Sequence, residues 1–211
     1  GTPQFSTPFL QTLIDDPEIE VVAVVTQPDK ARGRGQHLSP SPVKTLAQDN
    51  AIPVLQPASL KKDETILAKL EQYNADAFVV VAYGKIIPAS ILELPAHGSI
   101  NVHPSLLPRH RGPSPMQWAI SEGDTQTGIS IMVLDEGMDT GPLLTTESIT
   151  LDDNETYQSL VKKVHQIGPR LLLDSLRAYL HGQLMPIPQN EENATLTRLL
   201  TRDDGHIVWS E

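Results

Sequence analysis

The stretch "AFVVVAYGKIIPASILELPAHGSINVH" (Ala77–His103) opens and closes on the same kind of segment. "AFVVVAY" and "GSINVH" are short, β-branched and nearly continuously apolar, the pattern of strands covered on both faces in a parallel sheet. A third run of this kind, "VVAVVT" (Val21–Thr26), lies upstream. Helical patterns separate the runs: Phe5, Phe9, Leu10 and Leu13 at helical spacing, "SPVKTLAQD" after a proline-rich lead-in, and "DETILAKLEQY", where Ile66, Leu67 and Leu70 make one face. This alternation implies βαβ units with right-handed crossovers, hence an α/β fold whose mostly parallel sheet carries helices on both faces.

Further along, "TGISIMVL" (Thr127–Leu134) and "GPLLTTESITL" (Gly141–Leu151) read as strands joined through "DEGMDT", an antiparallel excursion at one side of the sheet. Beyond Asp153 a helical pattern with Leu160, Val161, Val164 and Ile167 meets Gly168–Pro169, which should kink or divide it, and resumes through "RLLLDSLRAYL". The tail "MPIPQNEENATLTRLLTRDDGHIVWSE" is proline-spaced and then polar. We therefore expect a domain over 1–185 and an extension over 186–211 that lies over the domain or leads to something absent from this chain. "GTPQF" looks like a turn that follows a strand and opens a helix, yet Gly1 has no strand before it in this chain. The expected sheet thus lacks its first strand, and that strand's two neighbours would expose unpaired backbone groups.

A chain of 211 residues, 39% hydrophobic and 20% charged, is long enough for one sizeable core and has no apolar run of membrane-spanning length. It reads as a soluble monomer. With no cysteine, disulfide frameworks, thiolate metal sites and cysteine catalysis drop out, and a cytoplasmic or organellar-matrix location is expected. The net charge of −10 argues against indiscriminate nucleic-acid binding. Positive charge does cluster in "QPDKARGRGQHLSPSP" (Gln27–Pro42), where Lys30, Arg32 and Arg34 sit on a glycine- and proline-rich segment that reads as neither helix nor strand.

Ligands of open α/β sheets bind beyond the carboxyl ends of the strands, which places the close of "GSINVH" for function. Asn101 and His103, two apart on a strand, share a face. An amide donor beside an imidazole can stabilise an oxyanion and pass a proton, an acyl-transfer set without a nucleophile. "LDEGMDTG" adds Asp135 and Asp139, either of which could partner His103. The spacing of His97, His103, His110 and Asp139 matches no ligand motif, so no metal is expected. The dinucleotide-binding G-x-G-x-x-G is likewise absent.

"NVHPSLLPRHRG", followed by Asp139 in "GMDTG", resembles the signature of the 10-formyltetrahydrofolate-dependent formyltransferases. The likeness extends through "GTPQF", "TQPDKARGRG", "PSPVK", "VVVAYGKIIP" and a closing "VW" followed by serine. It implies a Rossmann-like formyltransferase fold with Asn101, His103 and Asp139 as the catalytic group. It further implies that Tyr83, Gly84, Ile86, Ile87, Ser105, Leu106, Leu107, Pro108, Leu134 and Asp135 surround 10-formyltetrahydrofolate, the formyl donor. Within the family the likeness is closest to the branch whose acceptor is initiator methionyl-tRNA. By that likeness Lys30, Arg32 and Arg34 contact the tRNA, assisted by Arg109 and Arg111, and the tail leads toward a β-barrel domain absent from this chain.

Two alternatives stay open. One is a relative with the same trio acting on a nucleotide sugar, a ribonucleotide amine or water, and the other is a folate-binding regulatory protein without turnover.

Overall fold

The computed structural model describes residues 1–32 and 37–206. Helix α1 (Thr7–Ile14) follows a 3₁₀ turn over Gln4–Ser6 and leads to strand β1 (Val24–Val25). Next come β2 (Lys30–Arg32), β3 (His37–Ser39) and α2 (Pro42–Asp49), whose first turn is capped by Ser41 accepting from the Lys44 amide. Strand β4 (Val54–Leu55) precedes α3 (Glu64–Glu71), capped by Asp63, and then β5 (Phe78–Val81) and α4 (Ala89–Leu92). The site-bearing half comprises β6 (Ser99–His103), α5 (Pro115–Ser121), β7 (Gln126–Val133), β8 (Leu143–Thr150) and α6 (Tyr157–Leu180), which opens on a Thr156–Ser159 capping box.

Strands β5 to β8 form one sheet in sequence order, β5 and β6 parallel, β7 and β8 antiparallel to their neighbours. Strands β1 and β4 form a separate parallel pair. The parallel pair β5–β6 and the antiparallel excursion are those the apolar runs predict, whereas β4, the partner of β1, carries no such run. Helices cover both faces because the strands alternate. Val79 and Val81 of β5 pack toward the core shared by α1 and α6, while Phe78 and Val80 pack toward Ile66 and Leu70 of α3 and Ile91 of α4.

Three local expectations are corrected. Of Val21–Thr26, only Val24–Val25 is strand, since pairing comes from β4 alone. The segment Gln27–Pro42 does hold strand: β2 and β3 pair antiparallel, with Lys30 opposite Ser39 and Arg32 opposite His37, so backbone bonding overrides an unfavourable composition. Gly168–Pro169 does not divide the last helix, which runs unbroken from Tyr157 to Leu180. Both residues are buried, and a Cβ at 168 would stand 2.9 Å from the Phe9 ring, so Gly168 lets α1 close onto α6. Tertiary packing outweighs the local preference.

A cavity of about 610 Å³ lies between β1 and β5, lined by Val21–Val25 and Phe78–Val81. At its end the Gly1 nitrogen donates to the Val25 carbonyl at 3.2 Å. Among the described residues no helix is long and apolar enough to cross a membrane.

The extension is no free tail. Ile187 bridges to Leu143, and Leu196 bridges in parallel to Arg111. The amides of Arg111 and Thr197 donate to the Thr195 and Arg111 carbonyls, at 2.9 and 2.7 Å. Residues 187–197 therefore lie as a strap across the loop that follows β6.

Candidate active site

The five residues of β6 are all buried, yet the strand has a polar face. Ile100 and Val102 enter the α1/α6 core, so the alternate positions Ser99, Asn101 and His103 project to the opposite side. Ser99 Oγ donates to the Leu92 carbonyl of α4. Asn101, 9% exposed, has no side-chain hydrogen bond among the described residues.

His103 is held from one side. Its Nε2 lies 2.9 Å from the His110 carbonyl. A carbonyl only accepts, so Nε2 is the donor in this contact and Nδ1 is the ring nitrogen left toward Asp139. Nδ1 faces Asp139 Oδ2 at 3.6 Å, and that oxygen also accepts from the Gly112 amide at 2.8 Å. The structure thus chooses between the two acidic candidates. Asp139 meets the imidazole, whereas Asp135 caps its own turn, accepting from the Gly137 amide and the Thr140 hydroxyl. The route of the connection explains how. The Leu134 amide donates to the Ser99 carbonyl at one end of β6, while Asp139 reaches His103 at the other, so the segment folds back along the strand's polar face.

The loop after β6 is braced from within. Ser105 is fully buried and its Oγ donates to the Arg109 carbonyl; Ser130 Oγ donates to the Ser105 carbonyl and accepts from the Leu107 amide. Leu107 is buried, and Leu106 packs beside Gly128 of β7. The side chains of Ser105 and Leu107 therefore serve the loop's own structure. Tyr83 is similarly reassigned: its ring lies in the core with Leu60, Ile66 and Ile91, because the chain turns inward after β5. Beyond it Gly84 adopts φ +78°, Ile86 is 93% exposed and Ile87 is half-buried.

The arginines assigned to tRNA have intramolecular partners. Arg111 is buried; its guanidinium binds both carboxylate oxygens of Glu191 at 2.7 and 2.8 Å and the Gln189 side-chain oxygen. That leaves it no face for a phosphate. Arg109 is partly exposed and pairs with Asp124 and Glu122. Lys30 is exposed and donates to Gln27 at 3.0 Å. Arg34, the Arg32 side chain and the closing Val208, Trp209 and Ser210 lie outside the described residues.

Several residues of the site carry no sequence signal of their own. His110 adopts φ +61°, and its ring Nε2 bonds Asp124 at 2.7 Å. Its amide donates to the Thr195 hydroxyl at 2.8 Å, so the carbonyl that holds His103 is fixed from both sides. His110, Glu122 and Asp124 form the kind of cluster that can hold a cation, and Arg109 supplies the positive charge there. Burial pushes the Asp124 carboxyl upward, but hydrogen bonds and charge from Arg109 and His110 prevail and hold it below the usual carboxylate range. A carboxyl depressed on folding contributes stability above its unfolded pKa of about 4 and loses it as pH falls through the folded value. Asp124→Asn is therefore expected to cost about 1–3 kcal/mol at neutral pH. It should also flatten the loss of stability below about pH 4, measured by denaturant unfolding across pH.

A buried imidazole facing a carboxylate, with an unoccupied amide beside it and no nucleophile, is suited to transferring a group between two substrates. The formyl transferase family model matches residues 1–176, and the chain belongs to that family. Over 213 aligned residues it is 51% identical to the methionyl-tRNA formyltransferase of Synechococcus elongatus, covering 100% of this chain and 64% of that protein. Against the methionyl-tRNA formyltransferase of Synechocystis sp. the identity is 49%, with 99% of this chain and 63% of that protein covered. The chain thus spans a little under two thirds of the length of these relatives.

Among solved structures, glycinamide ribonucleotide transformylase 1 from Symbiobacterium toebii superposes with a TM-score of 0.73 at 18% identity, covering 88% of this chain and 90% of that one. A sugar 3N-formyl transferase, WlaRD, solved in the presence of dTDP and 5-N-formyl-THF, gives 0.70 at 20% identity, covering 97% and 68%. These likenesses show the shared α/β fold.

Proposed function

We propose that the chain transfers the formyl group of 10-formyltetrahydrofolate to the free amino group of initiator methionyl-tRNA. The observation that carries this reading is the unpartnered Asn101 amide on the same strand face as the His103–Asp139 pair. The relatives that match the whole chain supply the acceptor. The neutral amine forms a bond to the formyl carbon, and the carbonyl electrons move onto oxygen. The Asn101 amide and the His103 ring stabilise that oxyanion. Asp139 holds the ring and directs proton transfer from the attacking nitrogen to the departing N10 of the folate as the old C–N bond breaks. The exposed Ile86 and its neighbours Gly84 and Ile87 leave the same sheet edge and offer an apolar wall to the heterocycle, with Leu106, Pro108 and Leu134 on the facing loops.

The test is direct. The protein is incubated with 10-formyltetrahydrofolate and charged initiator tRNA, with a nucleotide-sugar amine in parallel. Formyl transfer to the methionyl amine is expected; transfer to the sugar alone would overturn the acceptor assignment.

In the same reading Lys30, Arg32 and Arg34 hold tRNA phosphates. Arg34→Ala is expected to weaken tRNA use, to reduce the slope of log affinity against log salt by about 1, and to leave folate affinity unchanged. Equal loss of folate and tRNA binding would make that segment structural instead.

A further inference from the structure

Gln189, on the strap, touches neither side chain of the His103–Asp139 pair, yet its amide joins the turn that carries Asp139 to the loop that follows β6. Nε2 donates to the carbonyls of Asp139 and Gly141, at 2.8 and 2.7 Å. Oε1 accepts from Nε and Nη2 of Arg111, at 3.0 and 2.9 Å. Every strong hydrogen-bonding direction of the amide is used. The next residue along from Arg111 is Gly112, whose amide donates to Asp139 Oδ2. A closed ring results: Gln189 grips the Asp139 backbone, the Asp139 carboxylate grips Gly112, and Arg111 returns to Gln189. Asp139 itself stands at φ +54°, a left-handed conformation that few residues other than glycine, asparagine and aspartate adopt.

We infer that Gln189 is a positioning residue for the transfer: it fixes the Asp139 carboxylate opposite His103 without touching substrate. The inference rests on the function proposed above. Two carbonyls on one side and a guanidinium on the other define what the position requires. A carboxylate satisfies Arg111 but has no proton for Asp139 and Gly141, and it repels their oxygens.

The experiment compares the wild-type protein with Gln189→Glu, Gln189→Ala and Glu191→Ala. Gln189→Glu keeps a partner for Arg111 and frees Asp139. Glu191→Ala removes the ion pair of Arg111 and leaves the Gln189 bonds in place. Turnover per folded molecule, KM for both substrates, thermal stability, and hydrogen exchange of the Gly112 amide are measured. For Gln189→Glu and Gln189→Ala, kcat should fall roughly 10²-fold with KM little changed, the size expected when a reacting group is misplaced by about 1 Å. Gly112 should exchange faster in both.

Glu191→Ala should lose stability but keep kcat and Gly112 protection. The inference is overturned if kcat survives Gln189→Glu, or if the loss of kcat follows stability across all three variants. A wild-type protein that formylates no amine would refute the functional reading alone. Gly112 exchange then still decides whether Gln189 fastens Asp139, and equal exchange in wild type and Gln189→Glu would overturn that.

Discussion

Replacing His103 with alanine is expected to lower kcat for formyl transfer about 10³-fold while folate affinity changes little, because general acid–base catalysis supplies about 10²–10⁴ and the heterocycle is assigned to other loops. Asn101→Ala should cost about 10²–10³, the usual effect of removing one oxyanion donor. His103→Gln separates chemistry from support: its amide can still donate toward the His110 carbonyl, a contact made at 2.9 Å by Nε2 in the native protein, but it cannot exchange a proton. Single-turnover kinetics at saturating folate measure the effect. If His103→Gln retained near-native turnover, the ring would be a structural prop and the proposed mechanism would fail.

Gly141→Ala should produce the largest loss of stability. A methyl group at this position would fall within contact distance of the Val133 carbonyl, backbone that cannot swing aside, and also meet Met132. Strands β7 and β8 shift register between Ile131 and Met132, so the clash comes where the ladder is already irregular. Overpacking of this kind costs about 1–3 kcal/mol or somewhat more. For a chain of this length that corresponds to a melting temperature lower by roughly 2–12 °C, readable by calorimetry. The Gly141 carbonyl also accepts from Gln189, so activity should decline with stability here.

Strands β1, β5 and β6 could be read from sequence because each belongs to a nearly continuous apolar run, and the two-residue spacing of Asn101 and His103 was enough to place both on one face of β6. Which carboxylate meets the ring could not be read. Asp135 and Asp139 sit on one turn, and only the fold-back of that turn along β6 separates them. That the tail lies over the domain was one of two readings of its sequence, but how it is fastened could not be read, for a different reason. Hydrophobic periodicity reports burial of apolar side chains, whereas Ile187 and Leu196 remain 65% and 75% exposed and the segment is held by backbone and amide hydrogen bonds. Its composition resembles a linker because its attachment is polar. The same blindness hid the partners of Arg111: a buried arginine and a solvated one look alike until Glu191 and Gln189 are brought across the fold.

The strap sets a timetable for synthesis. Bonds from Arg111 to Gln189 and Glu191 span 78 and 80 residues, and those from His110 to Thr195 and from Thr197 to Arg111 span 85 and 86. At ordinary elongation rates that separation is on the order of ten seconds of translation. Throughout that interval the nascent chain carries His103 on a strand already able to pair, while the loops on either side of it stay unfastened. The ring of contacts around Asp139 closes only after Gln189 has left the ribosome, and Thr197 fastens Arg111 later still, so a chain that ends before them lacks these bonds.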